Sequence, residues 1–162
     1  DVSPAERPRA NLVFLIDVSG SMSDADKLPL LKSAFGMLLT KLAPDDTVSI
    51  VTYAGQAGTV LEPTAVSERQ KILDAMRDLR PGGSTAGAAG IEEAYRLAEA
   101  GFVEDGVNRV ILATDGDFNV GVTRDETLED FVARKRESGI YLSVMYLLNH
   151  DLLIFCYNPA SA

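Results

Sequence analysis

NLVFLIDVSGSM, residues 11–22, is the stretch from which the fold can be read. Its first part, Leu12-Val13-Phe14-Leu15-Ile16, is an unbroken apolar run. Such a run is too short to span a membrane and reads as a strand buried on both faces. It stops at Asp17, and Asp17, Ser19 and Ser21 then put oxygen-bearing side chains at every second position, with Gly20 relieving the backbone. In a loop, that alternation lets the three oxygens converge on one point. Asp and Ser oxygens with no His or Cys beside them suit a hard cation such as Mg²⁺, not zinc or copper. A plain strand, turn and helix cap would use the same residues, so the rest of the chain has to decide.

The 162 residues amount to one domain, long enough to bury a core, and their apolar and charged fractions are ordinary for a soluble globular protein. A net charge of −9 argues against nucleic acid, whose phosphates need a basic surface, and against an anionic membrane surface. No stretch has transmembrane length. Cys156 is the one cysteine, so no disulfide can form within the chain. The chain begins at Asp1 with no signal peptide, and the expectation is a piece of a longer protein.

Residues 1–10, with Pro4 and Pro8, read as a linker entering the domain. Leu28, Leu31, Phe35, Leu38, Leu39 and Leu42 share one helical face, with Asp26 or Ser23 as the expected cap and Pro29 in the first turn. Residues 47–54 form a second expected strand and 58–61 a short one at the sheet edge. Ser67 and Gln70 have the spacing of a capping box, opening a helix that buries Ile72, Leu73, Met76 and Leu79. Another helix places Ile91, Ala94, Tyr95 and Ala98 on one side, with Gly101 just past its end. Residues 108–114 are a second buried strand ending in an aspartate, Asp115. A helix over 127–138 and a strand over 140–148 follow. Strands alternating with helices in this way predict a doubly wound α/β domain with a mostly parallel, Rossmann-like sheet and helices on both faces.

Ligands of such sheets bind outside the carboxyl ends of the strands, where the strand order reverses. Asp17 and Asp115 each end a buried strand and therefore fall on one rim. The Gly-rich stretch GGSTAGAAG, residues 82–90, opens a helix on that rim and carries Thr85. Asp17, Ser19, Ser21, Thr85 and Asp115 together make a plausible oxygen cage for Mg²⁺, with Mn²⁺ or Ca²⁺ as alternatives. Neutral hydroxyls binding directly, with aspartates acting partly through water, would leave the ion positive enough to take a carboxylate from a partner.

DVSGSM, GGST and ATDG, in that order and each at a strand end or helix start, resemble the metal-ion-dependent adhesion site (MIDAS) of von Willebrand factor type A (vWA) domains. The resemblance runs over about residues 11–146. The segments DKLPLLKSA, VSIVTYAG, GGSTAG and RVILATDGDFNVGV are most similar to the bacterial YfbK-type branch, many of whose members are extracytoplasmic. The resemblance implies direct ligation by Ser19, Ser21 and Thr85, with Asp17 and Asp115 holding the ion's waters or ligating it. It implies a non-enzymatic protein–protein interaction module, adhesive or scaffolding, whose partner presents Asp or Glu. Family members continue beyond the strand at Ile140 with a Gly-rich turn, a helix and a last strand. This chain has LLNHDLLIFCYNPASA after Tyr146 instead. The expected layout is a linker at 1–10, a vWA domain at 11–148 and an atypical tail at 149–162 where the last helix and strand would be. Within the tail, residues 152–157 are a possible strand hairpinned through 149–151.

Other chemistries fit less well. Asp115, Asp117, Asn119 and Glu126 imitate an EF-hand loop, but Val120 stands at its required glycine and a strand precedes it. A Mg²⁺-dependent phosphoryl-transfer enzyme with Asp17 as nucleophile is the alternative from another class, but Ser19 occupies the place of its second aspartate. The sole histidine, His150, lies in the tail, away from any serine hydrolase arrangement, and GGSTAGAAG lacks the lysine of a nucleotide-binding loop.

Overall fold

A computed structural model describes residues 7–54, 58–82, 87–116, 127–148 and 151–156. In chain order the elements are β1 (Ala10–Asp17), α1 (Leu28–Leu39), β2 (Thr47–Tyr53), β3 (Gly58–Ala65), α2 (Arg69–Arg77), α3 (Gly87–Ala100), β4 (Val107–Thr114), α4 (Leu128–Glu137), β5 (Ile140–Leu148) and β6 (Asp151–Cys156). The strands form one sheet in the order β3-β2-β1-β4-β5-β6. The β1–β2, β1–β4 and β4–β5 pairs are parallel, whereas β3 and β6 run antiparallel at the two edges. The apolar run at 12–16 is therefore the middle of a mostly parallel sheet, and the strand order reverses at its flank, between β1 and β4.

Alternation along β1 feeds two cores. Leu12, Phe14 and Ile16 face α1 and α2 together with Val48, Ile50, Leu31, Phe35, Ile72 and Met76. Val13 and Leu15 face the opposite side, where Val51, Tyr53, Val110, Leu112, Ile91, Tyr95 and Phe131 gather. Edge-to-face ring pairs mark each core: Phe14 on Phe35 at 4.9 Å and Tyr95 on Phe131 at 5.1 Å. Helix α3 lies close against the sheet because Gly90 has no side chain. A Cβ there would come within 2.7 Å of Tyr53 Cβ.

Both expected caps differ from what forms. The residue at the start of α1 is Lys27, which provides no side-chain cap, while Pro29 does occupy the first turn. Residues 20–23 wind into a 3-10 turn and Lys27 N–H closes a further turn on Asp24 O at 3.0 Å, so Ser23 and Asp26 sit too early to cap. Ser67 also lies in a 3-10 turn, Val66–Glu68, and its N–H donates to Pro44 O at 3.0 Å. That contact moves the start of α2 to Arg69, without a side-chain cap. Thr127 caps α4 by accepting from Asp130 N–H. The edge strand β3 runs on to Ala65, four residues beyond the expected 58–61. β6 forms the hairpin partner of β5. Arg7, Arg9 and Ala10, at the end of the expected linker, bind Asp45 and Asp46 in the turn just before β2.

Candidate metal centre

The register of the parallel strands brings the predicted rim together. Ile16 lies opposite Ala113, so Asp17 and the Thr114-Asp115 pair end their strands side by side, and Tyr53 lies opposite Asp17 on the other flank. Asp17 is 3% exposed and forms the floor of the site. One of its oxygens accepts the Ser19 N–H at 2.8 Å, and the other accepts the Thr114 hydroxyl at 3.2 Å. The first bond is the local turn an aspartate makes with the backbone two residues on. The second locks β1 to β4 at the rim. The buried Tyr53 hydroxyl lies beside Thr114 and Asp17, and burial pushes its phenol far above the ordinary tyrosine range. It stays a neutral phenol beside this carboxylate.

Above the floor, the Ser19 and Ser21 hydroxyl oxygens are 3.0 Å apart. Two adjacent ligands of an octahedron with metal–oxygen distances of about 2.0–2.1 Å lie about 2.9 Å apart, so the serine pair has the spacing of one octahedral edge. The Ser21 hydroxyl also lies beside Asp115. Burial alone would raise the Asp115 carboxyl, but the neighbouring Ser21 hydroxyl and the Lys27 ammonium outweigh it and hold the group below its usual range. Exposure rises from buried Asp17 through half-buried Ser19 and Asp115 to exposed Ser21. The oxygens therefore open toward solvent.

Four of the five predicted residues, Asp17, Ser19, Ser21 and Asp115, thus meet on one rim. Thr85 lies outside the described residues, as do Asp117, Asn119, Glu126 and His150. The residues flanking the Thr85 segment are at the rim: Gly82 N–H donates to Val18 O at 2.7 Å, and Gly90 packs against Tyr53 and Leu15. Among the described residues, no three His, Cys, Asp or Glu side chains group to hold a metal. The oxygens that meet at the rim are two carboxylates and two serine hydroxyls, a chemistry that suits a hard cation.

Three rim residues escaped the sequence reading. Tyr53 and Thr114 look like ordinary strand residues, and their position at strand ends was the only available signal. Lys27 is the third. Its ammonium donates to Asp115 at 3.0 Å and to Ser21 O at 2.8 Å, and Asp24 lies 3.8 Å away. The bond to Asp115 raises the Lys27 pKa, so both groups are charged at neutral pH. A lone lysine within an acidic approach to a helix, Asp24-Ala25-Asp26-Lys27, was the signal.

Comparison with known proteins gives the family. The family model for the von Willebrand factor type A domain matches residues 12–117, more than half of the chain. Uncharacterized protein YfbK of Escherichia coli (strain K12) is 46% identical over 151 residues, covering 93% of this chain and 26% of YfbK. Inter-alpha-trypsin inhibitor heavy chain H4 of Homo sapiens is 31% identical over 140 residues, covering 81% of this chain and 15% of that protein. The chain thus spans about a quarter of YfbK and less of the heavy chain. Among solved structures, BatB from Bacteroides thetaiotaomicron superposes with a TM-score of 0.65 at 22% identity, over 93% of this chain and 82% of BatB. Proximal thread matrix protein 1 from the mussel byssus, with a zinc-occupied MIDAS motif, superposes with a TM-score of 0.68 at 20% identity, over 85% of this chain and 38% of the other. At those identities the structural likeness is one of fold. From the matched family model and the identity to YfbK, the chain belongs to the von Willebrand factor type A domain family.

Proposed function

We propose that this domain is a non-enzymatic, divalent-cation-dependent protein-binding module. Ser19, Ser21 and Thr85 would hold Mg²⁺ directly, and Asp17 and Asp115 would hold it directly or through water. Mn²⁺ and Ca²⁺ are the alternative ions. The cation would supply a positive coordination position for an Asp or Glu side chain of a protein partner. The observation that carries this reading is the serine pair, 3.0 Å apart and flanked by two carboxylates where the strand order reverses. The zinc-occupied MIDAS motif of the mussel protein, on the same fold, supports it.

The residues divide the work by burial. Asp17 has both oxygens engaged by protein donors and serves to orient the Ser19 loop. Ser21 and Asp115 stand at the outer edge, within reach of an incoming carboxylate. The binding unit is residues 11–148, because every proposed ligand lies within it. An extracytoplasmic location belongs to the same proposal, and no helix among the described residues is long and apolar enough to cross a membrane.

The test is a titration of Mg²⁺, Mn²⁺ and Ca²⁺ into wild type and Asp115→Ala, followed by thermal stability. An ion that binds only the folded state stabilises it by mass action, by about 2.7 kcal/mol at a hundred times its Kd, and so raises the thermal midpoint. The rise should occur in wild type and be lost in Asp115→Ala. Equal rises in both proteins, or none in either, would refute the metal reading. Partner binding that survives excess EDTA at full strength would refute the mechanism of recognition.

A further inference from the structure

Lys27 brings a positive charge to the place where the proposed function puts another. Its ammonium is 3.0 Å from Asp115 Oδ2 and 2.8 Å from the carbonyl oxygen of Ser21, and its side chain is 22% exposed. The contact is built in. Lys27 stands at the start of α1, where buried Leu28 anchors the backbone next to it, and its carbonyl accepts the Leu31 N–H at 2.9 Å. The lysine is tethered on one side of the rim, and Asp115 is fixed on the other at the end of β4.

We propose that Lys27 is an intramolecular cation that competes with the divalent ion for Asp115, bracing the rim in metal-free protein and setting the metal affinity. This builds on the metal reading above. A carboxylate oxygen that accepts an ammonium proton and one that binds a dication draw on the same lone pairs and the same negative charge. Loading the metal therefore loosens the Lys27–Asp115 bond. The released ammonium remains close enough to repel the ion, since like charges a few ångströms apart near a protein surface interact appreciably. Lys27 is a positioning residue here, and Lys27→Met removes its charge while keeping its length.

The experiment measures Mn²⁺ binding by the loss of the free-ion electron paramagnetic resonance signal, in wild type, Lys27→Met, Lys27→Arg and Asp115→Ala. The metal-free thermal midpoint is recorded for each. Lys27→Met should bind Mn²⁺ about tenfold more tightly than wild type, with a lower metal-free midpoint. Lys27→Arg should stay close to wild type in both, because it keeps the charge. If wild type binds Mn²⁺ through Asp115 but Lys27→Met binds equally or more weakly, the competition is wrong and the metal site stands. If wild type and Lys27→Met both fail to bind Mn²⁺, or Asp115→Ala binds as well as wild type, the site itself is wrong and the competition falls with it.

Discussion

Replacing Gly90 by alanine tests whether close packing of α3 on the sheet shapes the rim. Two effects oppose each other. Alanine in a helix interior is favoured over glycine by about 0.8–1.0 kcal/mol. The new Cβ, however, would lie 2.7 Å from Tyr53 Cβ and 3.2 Å from Leu15 Cδ1. Carbon atoms in contact sit about 3.5–4.0 Å apart, so the helix or the strand must yield by about 1 Å. Overpacking of that kind costs about 1–3 kcal/mol, and more where backbone-anchored atoms such as a Cβ must move. The net expectation is a loss of about 1–2 kcal/mol, or about 2–8 °C in midpoint for a domain of this size. Gly36 provides the control within the same protein. It lies inside α1 with no atom within 4 Å of a built Cβ, so Gly36→Ala should stabilise by about 0.5–1 kcal/mol. Thermal unfolding by circular dichroism reads both variants. The packing reasoning is refuted if Gly90→Ala is as stable as wild type or shifts upward alongside Gly36→Ala. Because Gly90 packs on Tyr53, beneath Asp17, the substitution should also weaken Mg²⁺-linked stabilisation.

Asp46 is fully buried and accepts from Ala43 N–H and Ala10 N–H, both at 2.8 Å, and from Arg7. Asp46→Ala leaves those donors without a partner and should destabilise by about 3 kcal/mol, read as a lower urea midpoint at unchanged slope. Glu93 is held down to about 2 by hydrogen bonds from Arg96 first and Thr59 second. Its folded value lies below the unfolded one, so its contribution is present above about pH 4.5 and is lost as pH falls through about 2. Screening of a partly exposed pair limits that contribution to about 1 kcal/mol. The midpoint gap between wild type and Glu93→Gln should therefore close over that acidic window; a gap unchanged down to pH 2 would contradict it.

Much of the architecture could be read along the chain because burial is periodic there. The run at 12–16, buried on both faces, marked β1 as central, and Leu28, Leu31, Phe35 and Leu39 marked the inner face of α1. The rim position of Asp17 and Asp115 was legible for a related reason: a strand end in a parallel sheet faces a known rim, so the two could be placed together from the sequence alone. What escaped is what long-range contact decides. Ser67 has the spacing of a cap, yet its N–H is taken by Pro44, so the helix starts later. Lys27 drew no reading from the sequence, because its partner is 88 residues away. Tyr53 and Thr114 gain their roles under Asp17 only through the register of three strands.

The central claim is that oxygens from three separated segments enclose one cation. A crystal of the protein grown with Mn²⁺ and measured for its anomalous signal tests it most directly. The account predicts a single strong peak at the rim, within about 2.3 Å of the Ser19, Ser21 and Thr85 hydroxyls, allowing for an ion slightly larger than Mg²⁺, with Asp17 and Asp115 beside it. A peak elsewhere on the molecule, or a Thr85 hydroxyl turned away from the serine pair, would contradict it.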